Sequence, residues 1–189
     1  MKAMEQKILT EGKVLPGNVL KVGSFLNQSI DTVFLKEIGR EIARLYEGCG
    51  VSKILTIEAS GIAIATMVGY VLGCPLVFAK KSKTKNISSN VYSVEVESFT
   101  HGNTNTVVVS KEYIQPGDRV LIVDDFLATG AALVGLKVLV EQAGATVVGA
   151  GIAIEKVFQG GGDLLRQQGL RIESLARIAA MSDDSLSFC

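Results

Sequence analysis

The sequence predicts an α/β fold, a mainly parallel twisted sheet flanked by helices. Two observations carry that prediction. Short apolar runs without polar alternation recur along the chain, the pattern of strands buried on both faces of a parallel sheet. Stretches with helical spacing follow several of them, and strands alternating with helices specify parallel units. In chain order, Phe34, Ile38, Ile42 and Leu45 share one helix face, with Gly48 and Gly50 as stop signals. Residues 53–57 are the first buried strand, and a Gly-containing turn leads from it into a helix over 61–73. Residues 75–79, 106–109, 120–123 and 146–154 are further strands, and 131–143 is a helix ended by Gly144.

One part departs from this rhythm. After Lys80 a Lys-, Ser- and Asn-rich stretch precedes the partly alternating Val91-Tyr-Ser-Val-Glu-Val96, then the turn His101-Gly-Asn-Thr-Asn105 and the run 106–109. That order predicts a flexible loop and an antiparallel hairpin attached to the main sheet, over about 80–110. Residues 170–178 are a last short strand, and the polar tail 182–189 is assigned no regular structure. With no internal repeat and no Pro- or Ser-rich linker, 1–189 is read as one domain.

The chain has 189 residues, enough for a buried core without staples. Lys plus Arg number 19 and Asp plus Glu 19, so the formal net charge is zero. That balance argues against a nucleic-acid binder that relies on bulk basicity. Hydrophobic residues at 48% and charged residues at 20% exclude a disordered or low-complexity chain. Cys49, Cys74 and Cys189 are odd in number and widely spaced, giving neither a disulfide framework nor a zinc pattern, which fits a reducing compartment. No segment resembles an export signal, and the apolar stretch 61–73 is too short to span a bilayer. The expectation is a soluble cytoplasmic protein with no nucleic-acid or membrane partner.

The strongest motif is Val120-Leu-Ile-Val-Asp-Asp-Phe-Leu-Ala-Thr-Gly-Ala-Ala132. Its apolar start delivers Asp124 and Asp125 to the carboxyl end of a strand, where open α/β sheets place their ligands. A loop of Ala128, Thr129, Gly130, Ala131 and Ala132 then enters a helix, whose free N–H groups and positive end suit a phosphate monoester. Thr129 adds a hydroxyl donor, and Gly130 lets the backbone close around the anion. Ile57-Glu-Ala-Ser-Gly-Ile62 is a second strand-to-helix turn, placing Glu58, Ser60 and Gly61 at another such end, although Ser-Gly there is also ordinary helix capping. Lys80, Lys81, Lys83 and Lys85 form a cationic run that is either a solvated surface loop or a basic lid. Ile154-Glu-Lys-Val-Phe-Gln-Gly-Gly-Gly162 puts Lys156, Val157 and Phe158 at the end of the last long strand. Gly149-Ala-Gly151 lies inside a strand instead of after one, so it is not a dinucleotide fingerprint. His101, the single His, belongs to an exposed turn.

The stretch 120–132 resembles the 5-phosphoribosyl-1-diphosphate (PRPP) signature of type I phosphoribosyltransferases. The resemblance implies that Asp124 and Asp125 hydrogen-bond the ribose 2′- and 3′-hydroxyls. It implies further that 128–132 hold the 5′-phosphate and that the Glu58–Gly61 turn receives pyrophosphate on its backbone amides. Two positions depart from the pattern. Ala128 stands where the hypoxanthine-guanine branch has an Asp, so no general base is assigned there, and Ala132 stands where many members have a Thr. The resemblance also implies a hood loop that closes over the leaving group, with Lys81 the best single cation. Asp124, Asp125 and Lys81 are thus the expected catalytic set.

Within that family the whole chain is most similar to the bacterial xanthine-specific branch, from the Leu15–Gln28 segment to the Glu155–Phe158 turn. This implies a small N-terminal base-recognition hood over about 1–32, with Leu20, Asn27 and Lys156 on the purine. Phe126 and Val157 would sandwich the planar base. The Lys156 ammonium, a donor only, favours a 6-oxopurine over the 6-amino group of adenine. The implied reaction joins xanthine and PRPP to give xanthosine 5′-monophosphate and pyrophosphate in a homodimer. Mg²⁺ would neutralise the leaving group, and no protein ligand set is assigned to it. Two alternatives stay open: a hypoxanthine-guanine enzyme, and a non-enzymatic PRPP-sensing regulator. The regulator calls for an N-terminal DNA-binding domain, for which the stretch ahead of Lys53 is short.

Overall fold

In the computed structural model, which describes residues 1–82, 90–97, 104–182 and 184–189, the unalternated apolar runs become the parallel centre of a sheet. The chain opens with α1 (Lys2–Glu11), the hairpin β1 (Lys13–Leu15) and β2 (Val19–Lys21), a wide helical turn at Gly23–Asn27, and α2 (Thr32–Leu45). There follow β3 (Lys53–Ile57), α3 (Gly61–Leu72), β4 (Leu76–Ser82), β5 (Val91–Glu97) and β6 (Thr104–Ser110). The rest is β7 (Arg119–Leu127), α4 (Ala131–Gln142), β8 (Thr146–Lys156), α5 (Gly161–Gln167), β9 (Ile172–Met181) and β10 (Leu186–Phe188). The main sheet runs β10-β9-β8-β7-β3-β4-β6-β5. From β9 to β4 all neighbours are parallel, while β10 at one edge and the β5–β6 hairpin at the other are antiparallel.

Helices cover both faces. α2 buries Phe34, Leu35, Ile38 and Ile42, and its start is fixed by Asp31, whose carboxylate accepts the Phe34 N–H at 3.0 Å, a cap worth about 1 kcal/mol. The glycines of Gly149-Ala-Gly151 now have a packing reason. A Cβ at Gly149 would stand 2.7 Å from the Tyr46 ring, and one at Gly151 2.5 Å from Ile42, so both admit α2 and its C-terminal tyrosine onto β8. On the opposite face α4 packs Leu133, Leu136, Leu139 and Val140 against Ile122 and Ile152.

The N-terminal segment is tied down at several points. The Met1 ammonium donates to the Leu175 carbonyl on β9. Lys7 reaches the Asp31 carboxylate at 2.8 Å and lies 5.9 and 5.6 Å from the ring centroids of Phe25 and Phe34. Met4, Ile8, Leu20, Val22, Phe25 and Leu26 are buried in the core that includes α2.

Four expectations change. β7 runs on through both acids to Leu127, because β8 extends opposite it and pairs Asp124 with Ile152 and Leu127 with Glu155. The loop 128–132 shortens, because Ala131 and Ala132 are the first turn of α4, where the helix expected over 131–143 already put them. Lys81 is anchored in a strand and does not sit on a free lid, since Lys80–Ser82 pair with Thr106–Val108. The polar tail forms β10, with Leu186 opposite Met181. Lys83, Lys85 and His101 lie outside the described residues. Among those described, no helix is long and apolar enough to cross a membrane.

Candidate active site

The parallel strands end together, and their carboxyl ends build the site. A cavity of about 240 Å³ opens between the β3–α3 turn, the β7–α4 turn and the β5–β6 hairpin. Glu58, Ser60, Lys81, Asp124, Asp125, Phe126 and all of 128–132 line it. Val96, Asn105 and Val107 of the hairpin form a further wall, which the local motifs give no sign of, because the hairpin pairs with β4 from a distant part of the chain.

The acids sit at the floor. Asp124 and Asp125 are only 8% and 7% exposed, and the Asp125 N–H donates to Asp124 Oδ1 at 2.9 Å. Burial, and then the adjacent Asp125 charge, push the Asp124 carboxyl well above the ordinary aspartate range; the positive charge of Lys81 opposes this. Gly61 is required beside them. A Cβ there would be 2.1 Å from Thr56 Oγ1 and 2.9 Å from Asp124 Oδ1, so only glycine lets the first turn of α3 approach the acid. Glu58, joined to Ala59 by a cis peptide bond, accepts the Lys81 backbone N–H at 2.7 Å and so pins the end of β4 to the β3–α3 turn.

The phosphate-type loop has the backbone its sequence demands. Gly130 takes φ of 88°, a left-handed conformation that favours glycine, and α4 starts behind it with no side-chain cap. Amides of the first helical turn, beside the Thr129 hydroxyl, are therefore left for an anion at the cavity wall.

The remaining predicted residues, Gly61, Leu20, Asn27, Lys156 and Val157, do not line this cavity. Asn27 Nδ2 donates to Asp125 Oδ2 at 3.2 Å, which joins the N-terminal segment to the acidic pair. Lys156 Nζ donates to the Asn18 carbonyl at 2.8 Å and lies 5.6 Å from the Phe126 ring centroid; burial lowers its pKa. Leu20 packs into the N-terminal core, and Val157 opens a half-buried helical turn at Val157–Gln159. Glu155 was missed. It is fully buried and bound by Arg166 and Ser174, and the only local signal was an acid directly after a run of buried strand residues.

A model of the phosphoribosyl transferase domain matches residues 28–160, most of the chain and all of the turns just described. The chain belongs to the phosphoribosyltransferase family. Among relatives, xanthine phosphoribosyltransferase of Bacillus cytotoxicus is 52% identical over 188 residues, covering 100% of this chain and 95% of that one. The protein of the same name from Bacillus cereus is 51% identical over the same span. Solved phosphoribosyltransferases share the architecture. Adenine phosphoribosyltransferase from Thermoanaerobacter pseudethanolicus superposes with a TM-score of 0.68 at 29% identity, over 78% of this chain and 82% of that one. The Giardia lamblia enzyme complexed with 9-deazaadenine gives 0.77 at 22% identity, over 92% and 97%, and that likeness concerns the fold alone.

Proposed function

We propose that this phosphoribosyltransferase joins xanthine and PRPP to give xanthosine 5′-monophosphate and pyrophosphate, a purine-salvage reaction. The observation that carries the choice of base is the identity of about half of all positions, end to end, with relatives named for xanthine. In this reading the C1–pyrophosphate bond breaks and a purine ring nitrogen bonds to C1. Asp124 and Asp125 hold the ribose hydroxyls, while Ala128, Thr129, Gly130, Ala131 and Ala132 hold the 5′-phosphate. Glu58, Ser60 and Gly61 form the pyrophosphate turn, and Lys81 lends positive charge as the leaving group departs. The cavity that collects these groups, Gly61 apart, supports the assignment.

In this reading the base has Phe126 and Val157 against its faces and Leu20, Asn27 and Lys156 at its edges. Lys156 keeps donors beyond the one spent on Asn18 and has no acceptor, so it reads an oxo group and rejects an amino group. A charged hydrogen bond of this type contributes about 1.5–3 kcal/mol, or about a tenfold to hundredfold preference.

The residues present fit Mg²⁺ carried in with the substrate. No group of three or more metal-ligating side chains occurs among the described residues, so these offer no cage of their own. Mg²⁺ commonly takes one or two carboxylates and fills its shell with water and phosphate oxygens. Asp124 and Asp125, crowded enough to drive a pKa up, are the carboxylates that would hold it. When bound, Mg²⁺ would neutralise charge on the pyrophosphate. A homodimer, as in the implied family, would cover apolar side chains such as Val33 and Tyr70, which are 72% and 80% exposed here. A cytoplasmic location accords with three free cysteines.

The test is pyrophosphate release from PRPP and xanthine by the wild type and by Asp125→Asn. The wild type should turn over, and the variant should lose about 100-fold or more in kcat while melting normally. Unchanged kinetics in the variant would remove the ribose assignment.

A further inference from the structure

We propose that Glu155 is a positioning residue for the phosphate loop, acting through Arg166 and the glycine start of α5. The proposal rests on the reading that 128–132 hold the 5′-phosphate.

Glu155 lies next to the end of β8, opposite Leu127 of β7, and is fully buried. Its carboxylate receives both terminal nitrogens of Arg166 at 2.7 Å each and the Ser174 hydroxyl at 2.6 Å. Arg177 Nε stands 3.4 Å away. Burial alone would raise its pKa, but these donors overcome burial and hold the group below the ordinary range, as a carboxylate. A buried carboxylate met by a two-pronged guanidinium admits one geometry, so the pair fixes α5 relative to β8.

What α5 presents to the rest of the site follows from two adjacent glycines. A Cβ at Gly162 would fall 2.0 Å from Glu155 Oε1, so this residue lies directly on the ion pair. A Cβ at Gly161 would fall 2.2 Å from the Thr129 carbonyl carbon and 2.5 Å from the Ala128 oxygen, so this one lies directly on the phosphate loop. Gly161 N–H donates to the Ala128 carbonyl at 3.2 Å. The peptide unit joining Ala128 to Thr129 is planar and trans, so its C=O and N–H point in opposite directions. Tying the Ala128 carbonyl to α5 therefore turns the Thr129 N–H away from α5. The ion pair thus sets the aim of an anion-binding amide that neither of its members touches.

Neighbours on a strand face opposite ways. Lys156, next after Glu155, reaches the base-side group at Asn18 and Phe126. One dipeptide at the end of β8 thereby serves both ends of the product, Glu155 the phosphate end and Lys156 the base end.

The experiment measures KM for PRPP, KM for xanthine, kcat and melting temperature for Glu155→Gln, Ser174→Ala, Gly161→Ala and the direct control Thr129→Ala. Glu155→Gln should raise KM for PRPP about tenfold or more and leave KM for xanthine within about twofold. Ser174→Ala, which keeps the Arg166 pair, should give a smaller shift of the same kind. Gly161→Ala should reproduce the split without touching the ion pair. A merely structural Glu155 would lower the melting temperature and move both KM values alike, or neither, and that result overturns the proposal. If Glu155→Gln does not fold, Ser174→Ala and Gly161→Ala decide by the same split. If Thr129→Ala, which removes the hydroxyl and keeps the amide, raises KM for PRPP while the other variants do not, the proposal alone fails; if none of the four variants raises it, the loop reading fails and takes the proposal with it.

Discussion

Removing the Asn27 amide should weaken PRPP binding in the absence of any purine. Asn27 Nδ2 donates to Asp125 Oδ2 at 3.2 Å, and Asp125 is 7% exposed while Asn27 is exposed. A net hydrogen bond to a charged group contributes about 1.5–3 kcal/mol. This one is longer than the roughly 2.7–2.9 Å of strong charge-assisted bonds, so the low end applies, about 1.5 kcal/mol; because the bond already exists in the ligand-free protein, that is the ceiling of its effect on affinity, about tenfold in Kd. The assay is calorimetric titration of PRPP, with Mg²⁺ present, into wild type, Asn27→Ala, Asp125→Asn and the double variant. Asn27→Ala should bind PRPP more weakly than wild type, by up to about tenfold, yet in the Asp125→Asn background the same change should matter little, a coupling of up to about 1 kcal/mol. A PRPP affinity that is unchanged or improved by Asn27→Ala would refute the idea that the amide orders the ribose acid. It would leave Asn27 as a base contact only.

Asp124→Asn should stabilise the substrate-free protein in a pH-dependent way. At acid pH both folded and unfolded states carry the Asp124 proton, so the substitution gains nothing. As pH rises past the ordinary aspartate range the unfolded chain releases that proton while the folded chain, with its raised pKa, retains it, and wild-type stability falls. Melting curves should therefore show a gain for the variant that grows toward neutral pH; a gain largest in acid would contradict the burial of an unfavourable charge. Gly61→Ala should cost about 1–3 kcal/mol of stability through overpacking. It should also lower kcat, because the displaced neighbours are Thr56 and Asp124. A variant with wild-type kinetics would mean that α3 can shift freely over the acids.

Much of this was legible because it is local. Residues 120–132 contain a buried strand, two acids and a helix entrance within one continuous stretch, and the structure keeps them together around one cavity. β3 matches its apolar run, and the spacing of Phe34, Ile38 and Ile42 gives the buried face of α2. What stayed hidden depends on partners distant in the chain. Glu155 has meaning only once α5 brings Arg166 and β9 brings Ser174 and Arg177 beside it. Lys81 reads as loop until Thr106–Val108 pair with it, and β10 reads as tail until β9 offers an edge. Gly149 and Gly151 are excluded as a nucleotide motif by their place inside a strand, but the reason for glycine there shows only once Tyr46 and Ile42 are seen to need the space. Asn27 gives no local sign of its partner, because its bond to Asp125 spans 98 positions.

The central claim, a transferase that selects an oxidised purine through Lys156, is tested most directly by PRPP turnover with xanthine, guanine, hypoxanthine and adenine side by side, for wild type and Lys156→Ala. The account predicts the highest kcat/KM for xanthine and the lowest for adenine. It predicts that Lys156→Ala cuts the xanthine value about tenfold to hundredfold, mainly through KM for the base. Adenine equal to or better than xanthine, or an oxopurine preference that survives loss of the Lys156 ammonium, would contradict it.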